Sequence, residues 1–525
     1  MRVFLNNPGA VTCEVASRLA QAGRITVVGC LVTEDNATAT EIYFPTARLI
    51  RIENLFVDGL SGAFHGVDTR FLTPEFLDSM RWAEPRALEM MDRMDIDRSQ
   101  RFKQRRDLYL YLAAFWAHIV EADDIELFYS QETPHEVADF VLFAAMKTLE
   151  RRNLIFSRTL ILGEWFLTDD YRYPRTVYCR PTDDPRRIRQ SEETDDSIVN
   201  KHLAPVRGTY TDAIAAYLNY MNAVVAEQPN KTDSSRIRML TNRVRGEGAI
   251  VSRGLGSLAR SMTAINARPG PVIPNAMARF ANAWLAYASA ASLEANYQQY
   301  STPQRPDSPY VYFLLGYQPE NTNCPEGGEF ANQLLAVSVI SHCIPDGWRV
   351  VVKEHPAQLA NHGRGASGYG NLGRDAMLYE ALSGIPGVEL VAADADHFSM
   401  LDGASAVATL TGTAGWEAVV RGKPVLCFGE AWYQSAPNVW RIHTAADCHK
   451  SLMTVANNDI LVGSDLDSAL ISYIRALKER THLLVLDEVD AAVTGLEFRF
   501  TDQCDRLEEL LWKYIDGALI SEMEI

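Results

Sequence analysis

Short apolar runs alternate with stretches of helical spacing at both ends of the chain. Arg2–Leu5 reads as a strand, Val11–Ala22 as a helix stopped by Gly23, and Ile25–Val32 as a largely apolar strand. After an irregular stretch the pattern predicts a long helix over Phe102–Glu121. A strand over Ile125–Tyr129, a helix over His135–Arg151 and a strand over Leu154–Leu162 follow. Alternation returns near Ser308: strands at Tyr310–Tyr317, Trp348–Lys353, Val388–Ala392, Ala406–Leu410 and Pro424–Phe428 are interleaved with helices at Phe330–His342, Asp375–Ser383 and Thr413–Arg421. Asp465–Arg480 and Asp502–Ala518 read as terminal helices. This alternation predicts an α/β protein with two Rossmann-like lobes, each a parallel sheet covered by helices. The expected divisions are 1–170, 308–475 and a helical end at 476–525. Between the lobes, 171–200 is charge-dense and reads as a loop or linker. Residues 203–300 read as helical, most clearly Asn275–Tyr300, so 171–307 is expected to be a linker and helical insertion.

Composition narrows the function. A 525-residue chain exceeds one compact core. A formal charge of −17 argues against general nucleic-acid binding, because phosphate repels it. The eight cysteines (Cys13, Cys30, Cys179, Cys324, Cys343, Cys427, Cys448 and Cys504) form no CxxC pair or zinc-type spacing and read as buried thiols of a reducing compartment. The opening MRVFLNNPGAV has no charged leader, and no apolar run is long enough for a spanning helix, so a cytoplasmic protein, able to work at the inner membrane surface, is expected.

In an open parallel sheet, ligands bind beyond the carboxyl ends of the strands. In the second lobe those ends carry Gln318-Pro319-Glu320, Lys353-Glu354-His355-Pro356, Thr411-Gly412-Thr413-Ala414-Gly415-Trp416-Glu417 and Gly429-Glu430. The Thr411–Gly415 turn leads from strand to helix. Unpaired N–H groups of the helix start, threonine hydroxyls and two glycines together make a phosphate cradle. Thr413 also reads as an N-cap. Glu417, one turn in, suits ribose or sugar hydroxyls, or is a solvated helix-face acid. His355 suits phosphate binding or proton transfer near neutral pH, or is structural. Gln318 suits the edge of a base or a sugar hydroxyl. Lys353 and Glu354 read as a simple pair.

The segments YQPENTNCPEGGEFANQLLAVSVISHCIPDGWRVVVKEHPAQ and ATLTGTAGWEAVVRGKPVLCFGEAWY resemble the bacterial capsule polysaccharide biosynthesis family, which includes Kdo transferases with Gln-Pro and His-Pro motifs. They also look like the His-Pro and Ser/Thr motifs of bacterial sialyltransferases. The resemblance implies a GT-B architecture, a donor nucleotide in the C-terminal lobe, the acceptor on the first lobe, and no metal or other cofactor. It implies that Gln318-Pro319 and His355-Pro356 are the two hallmark motifs, with Thr411 and Thr413 in the Ser/Thr positions. His355 and the threonines would then hold the donor phosphate, and Gln318 and Glu417 the nucleotide or sugar. The acidic-Asp-Gly motif of the sialyltransferases is missing: Asp58, Asp346 and Asp402 precede glycines but follow no acid.

The expected activity is transfer of a sugar, Kdo or a related acidic sugar from a CMP-linked donor, to a surface glycan or glycolipid. A GT-B-like sugar-nucleotide epimerase, a CDP-polyol phosphotransferase and a non-catalytic capsule-assembly scaffold are the alternatives. The base is expected from the first lobe, with Glu132, His135 and Asp139 as candidates, although Thr133-Pro134 and nearby acids are also ordinary helix-start residues. Three DxD pairs, at Asp95, Asp394 and Asp465, arise easily in so acidic a chain, and Gly254–Ala259 lacks the preceding strand of a dinucleotide fingerprint. Residues 236–268 hold seven arginines and only Glu247 as an acid. That segment reads either as a contact for an anionic glycan or membrane surface, or as a helical face paired to acids at 192–196.

Overall fold

The computed structural model describes the chain except for residues 53, 56–66, 95–99, 160, 162, 173–175, 180–192, 209–292, 303–305, 319, 356–357, 360–373, 375, 488–489, 492–495 and 524–525. The arginine-rich segment, Gly254–Ala259, most of Asn275–Tyr300, Asp95 and Asp97, and both motif prolines, Pro319 and Pro356, lie outside the described residues.

The first sheet begins with β1 (Arg2–Asn6), β2 (Thr26–Val32), β3 (Arg48–Arg51), β4 (Leu127–Ser130) and β5 (Arg152–Arg158). They pair in parallel in the order β3-β2-β1-β4-β5. β6 (Glu164–Thr168) and β7 (Thr176–Cys179) extend this sheet antiparallel. β7 corrects the reading of 171–200 as loop throughout. Its alternating Val177 and Cys179 are too few to register as periodicity among the surrounding charges.

The second sheet comprises β8 (Ser301–Thr302), β9 (Tyr310–Leu314), β10 (Arg349–Lys353), β11 (Val388–Val391), β12 (Ala406–Thr409), β13 (Val425–Cys427) and β14 (Val439–Arg441). All pairings are parallel, in the order β14-β13-β12-β9-β10-β11-β8. β10, RVVVK, is buried over four of its five residues, as a strand covered on both faces requires. The chain then returns to the first lobe: β15 (His482–Leu483) pairs with β6, and β16 (Ile520–Met523) with β7.

Each parallel core therefore runs 3-2-1-4-5 outward from a strand whose successors go first to one side and then to the other. This is the doubly wound order, and it opens a crevice between strands 1 and 4. In the first lobe the crevice lies between β1 and β4, in the second between β9 and β12. The α/β architecture of two mostly parallel, Rossmann-like lobes read from the sequence is the one observed.

Among the helices, α1 (Ala10–Gln21) packs under the returning C-terminal helix Phe500–Ile515, whose Leu507, Leu511 and Tyr514 share a core with Val3 and Leu5. α2 (Glu84–Met94), α3 (Phe102–Ala122) and α4 (Ala138–Thr148) cover the other face. α4 is buried from Ala138 to Met146 because it lies between sheet and helices, which explains its lack of a polar stripe. It starts later than the predicted His135. Val137 has φ 61°, and the Asp139 carboxylate draws in the N–H groups of His135, Glu136 and Phe140 at 3.2, 2.8 and 2.6 Å, so the chain before it is a turn.

The lobes meet along the 320–329 segment of the second lobe. Thr133 Oγ1 donates to Glu326 Oε1 at 2.6 Å. The Arg93 guanidinium donates to the carbonyls of Glu320 and His135 at 3.2 and 2.7 Å, one on each lobe. Arg86 pairs with Glu329, and Cys324 is buried in the first lobe's core. All eight cysteines are buried, and none forms a disulfide.

Candidate functional site

Four strand ends of the second sheet converge beside its crevice. β9 runs into Tyr317 and Gln318. The Tyr317 ring lies 5.4 Å from the His355 ring that follows β10, and the Gln318 N–H donates to Gln358 Oε1 at 3.0 Å. On the other side, the Thr411 hydroxyl after β12 donates to the Thr322 carbonyl at 2.8 Å, and the Glu430 N–H after β13 to the Glu326 carbonyl at 2.9 Å. The 317–326 loop thus joins the Gln-Pro, His-Pro and threonine segments.

Beneath His355 lies a buried polar knot. Glu354 is completely buried and pairs with Arg374, whose Nε donates at 3.0 Å. The Tyr379 hydroxyl donates to the same carboxylate at 2.6 Å, and the Glu354 N–H to the Tyr297 hydroxyl at 3.0 Å. Arg374 also binds the Gly316 carbonyl at 2.6 Å, tying the end of β9 to the end of β10. Glu354 is therefore not the partner of Lys353. Arg374 lies twenty positions on, at the end of the glycine-rich stretch NHGRGASGYGNLGR, and no sequence spacing connects the two. Lys353 is buried, and among the described residues no carboxylate lies within 4 Å of its amine. Burial lowers its pKa against the opposing pull of Glu354, Asp394 and Asp396.

His355 is pushed down to about 3 by burial and, less, by the nearby charges of Lys353 and Arg374. It is neutral near pH 7, which corrects the expectation of a proton carrier. What this end of β10 offers is a neutral imidazole suited to hydrogen bonding with an anion, with the buried Lys353 amine beside it.

The helix after β12, α5 (Thr413–Val420), has Gly412 and not Thr413 as its N-cap. The Gly412 N–H is taken by Thr409 Oγ1 at 3.1 Å. Gly415 is not there for a ligand: a Cβ would run into the Tyr433 hydroxyl, which itself donates to the Gly412 carbonyl. Gly415→Ala is accordingly expected to cost about 1–3 kcal/mol through overpacking, visible as a lowered melting temperature. Thr411 spends its proton on the 317–326 loop. The Gly415 N–H donates to the Gly412 carbonyl at 3.1 Å, so among the described residues the Thr413 hydroxyl and the Thr413 and Ala414 N–H groups are what remain for an anion. Glu417 is neither solvated nor free of protein partners: His397 Nε2 lies 2.8 Å from its Oε2, and His397 Nδ1 lies 3.1 Å from the Tyr312 hydroxyl. Asp396 caps its own helix through the Ser399 N–H, and Asp467 pairs with Arg207, so these DxD acids have structural uses. Among the described residues no group of three or more His, Cys, Asp or Glu side chains is placed to hold a metal ion. No described helix is long and apolar enough to cross a membrane.

Gln318 is 7% exposed, and its Oε1 is buried without a hydrogen-bond partner. An unsatisfied buried acceptor is costly, and a ligand donor would relieve it.

The first-lobe candidates divide by environment. Asp139 is buried and accepts three backbone N–H groups as well as Asn6 Nδ2 at 3.3 Å. It anchors the turn and is unsuited to take a proton. Glu132 is exposed. His135 Nδ1 lies 2.9 Å from the Thr133 carbonyl, to which it must donate. Its neutral tautomer therefore carries the lone pair on Nε2, which has no hydrogen-bond partner among the described residues. Burial pulls the His135 pKa down, but Glu132 and Asp139 outweigh it and hold the group above its ordinary value. Burial raises Glu320, which faces His135 from the second lobe, and also Glu136.

Residues 322–451 match the family model described as capsule polysaccharide biosynthesis protein. The match is confined to that segment, 130 of the chain's 525 residues. The capsule-family segment contains His355, Thr411–Glu417, His397 and Arg374, and begins just after Gln318. No curated protein matches the chain. Among solved structures, the Thermosulfurimonas dismutans KpsC β-Kdo 2,7-transferase aligns at 15% identity over 43% of this chain and 62% of its own, with a TM-score of 0.23. The chain thus spans less than two thirds of that protein. The Neisseria meningitidis UDP-GlcNAc 2-epimerase bound to UDP-GlcNAc aligns at 10% identity over 98% and 100% of the two chains, with a TM-score of 0.21. Similarity this low carries no inference about activity.

Proposed function

We propose that the protein is a glycosyltransferase that moves a sugar from a nucleotide donor, Kdo or a related acidic sugar linked to CMP, to a capsular or surface glycan or glycolipid. One observation carries this reading: the ends of β9, β10 and β12 meet at a doubly wound crevice that combines the neutral His355 imidazole, an open helix start and an unsatisfied Gln318 carbonyl. The capsule-family match over the same segment supports it.

In this reading the donor phosphate lies against Thr413, the first N–H groups of α5 and His355, with Lys353 behind them. These groups stabilise the charge that develops as the bond from the anomeric carbon to the phosphate oxygen breaks and its electron pair leaves with the nucleotide. Gln318 binds the base or a sugar hydroxyl, beside Glu320. His135 Nε2 takes the proton of the acceptor hydroxyl as that oxygen forms the new bond to the anomeric carbon. Asp139 and Glu132 hold His135 in place and raise its basicity. The proposed divisions place the acceptor lobe in 1–170 and the donor lobe in 308–475, while the 476–525 end, expected to be helical, also carries β15 and β16 and returns to the first lobe.

A thermal-shift panel of CMP, CDP, UDP and GDP tests the reading. At least one is expected to raise the melting temperature by several degrees at millimolar concentration. No shift with any of them sinks the proposal. Conversion of a UDP-sugar without an acceptor would replace it with the epimerase alternative.

A further inference from the structure

Two arginines of α2 face the second lobe, and they are used differently. Arg86 and Arg93 lie seven residues apart, two turns along one stripe of the helix. Arg86 pairs with Glu89 and, across the boundary, with Glu329. Arg93 is 4% exposed, and among the described residues no carboxylate pairs with it directly; Asp139, Glu136 and Glu89 act on it only through space. Its Nε is buried without a hydrogen-bond partner. Its two terminal nitrogens go to main-chain carbonyls, Nη1 to Glu320 at 3.2 Å and Nη2 to His135 at 2.7 Å.

A buried guanidinium without a direct ion pair is costly, and an apolar side chain of similar length would fill the same space. What a guanidinium adds is a rigid planar fork that fixes two acceptors relative to one another. The two acceptors here belong to different lobes. Glu320 stands two residues past Gln318, and its carbonyl also closes a turn with the Asn323 and Cys324 N–H groups at 3.1 and 3.3 Å. His135 stands in the turn that the Asp139 carboxylate organises through the His135 and Glu136 N–H groups. A second bond joins the same two segments, from Thr133 to Glu326 at 2.6 Å. Arg93 also acts on the imidazole itself: its charge lowers the His135 pKa, against Glu132 and Asp139, which raise it.

We infer that Arg93 is a positioning residue whose fork clamps the His135 turn of the first lobe to the Gln318 loop of the second, and so sets how the two sides of the crevice face each other. The inference rests on the proposed function for the meaning of those two sides and adds the group that holds them in register. No covalent step is involved.

The test is made on the full chain as wild type, Arg93→Met and Arg93→Lys. Amide hydrogen exchange is followed in peptides covering 131–138 and 317–326. The His135 imidazole is titrated by NMR, its signal identified by its loss in His135→Gln. Arg93→Met is expected to speed exchange in both peptides by roughly tenfold or more, the worth of a hydrogen bond to a charged group, and to move the His135 titration upwards. Arg93→Lys keeps the charge without the fork. It is expected to leave the titration near that of the wild type while exchange in both peptides still rises. A side chain that merely filled space would not move the titration. Whichever of CMP, CDP, UDP and GDP binds is expected to slow exchange at 131–138 in the wild type and not in Arg93→Met. If none binds, the donor-site reading fails, and the exchange and titration results decide the clamp by themselves. Wild-type exchange in both peptides of Arg93→Met, an unmoved titration, or an equal rise throughout the first lobe overturns the clamp. If Arg93→Met does not fold, Arg93→Lys decides, and unchanged exchange in both of its peptides overturns the clamp.

Discussion

Replacing Arg374 by methionine is expected to destabilise the second lobe by about 3–5 kcal/mol and to abolish nucleotide binding at moderate concentration. The Glu354–Arg374 pair has side-chain exposures of 0% and 2%, so removing the guanidinium strands a carboxylate with no water to solvate it. The Tyr379 hydroxyl and the His355 N–H continue to donate to Glu354, but neither brings a charge. The same change releases the Gly316 carbonyl, and with it the link that fixes the Gln318 turn relative to His355. Stability and binding should therefore fall together. The measurement is thermal unfolding with and without nucleotide, made on Arg374→Met, Glu354→Gln and the double variant. Recovery of much of the stability in the double variant is expected, because replacing both partners removes the stranded charge. Equal losses in all three would show that the ion pair is not what holds this rim together.

Changing His355 to alanine is expected to weaken nucleotide binding roughly tenfold to a hundredfold at pH 7.5, the usual worth of a hydrogen bond to a charged group. The residue also leaves a signature in the unliganded protein. Its pKa is about 3 in the fold, against about 6.5 for an unperturbed imidazole. Between those values the unfolded chain binds a proton that the folded one refuses. Stability is thus lost as pH falls from about 6.5 towards 3. His355→Asn, which keeps a polar side chain but does not titrate, is expected to show a smaller drop in melting temperature between pH 7.5 and pH 5 than the wild type. Identical drops would mean that this imidazole is well solvated and that the positive surroundings described here do not act on it.

Several elements were legible in the sequence because they are set by neighbours along the chain. β10 announces itself as an apolar run, and α5 as a strand-to-helix turn rich in glycine and threonine. The later helices were read to within a few residues, with Asp465–Arg480 observed as Gly463–Arg480. β14 and the helix Ala445–Ala456 went unread. The strand has three half-buried residues, too short a run to show a period.

The site was legible in outline and not in its connections. Residue types at strand ends marked Gln318, His355, Thr413 and Glu417 as chemically useful, since topology alone brings the carboxyl ends of parallel strands to one rim. Side-chain partnerships across that rim are different in kind. Arg374 meets Glu354, His397 meets Glu417, and Thr411 meets Thr322, and none of these pairs has a separation that any local rule encodes. The same holds for Asp139, an apparent base by its position near a strand end, which the fold surrounds with backbone N–H groups.

The sequence by itself determined the class of the fold, the alternation that builds two parallel sheets and the polar strand ends that border the crevice of the second. Hydrophobic periodicity and turn chemistry act over a few residues and are written in order. Tertiary structure alone decided which side chains are spent on holding the rim and which are left for chemistry. A carboxylate or imidazole acquires its role from the charges, donors and burial around it, and those come from elements that meet only when the chain has folded.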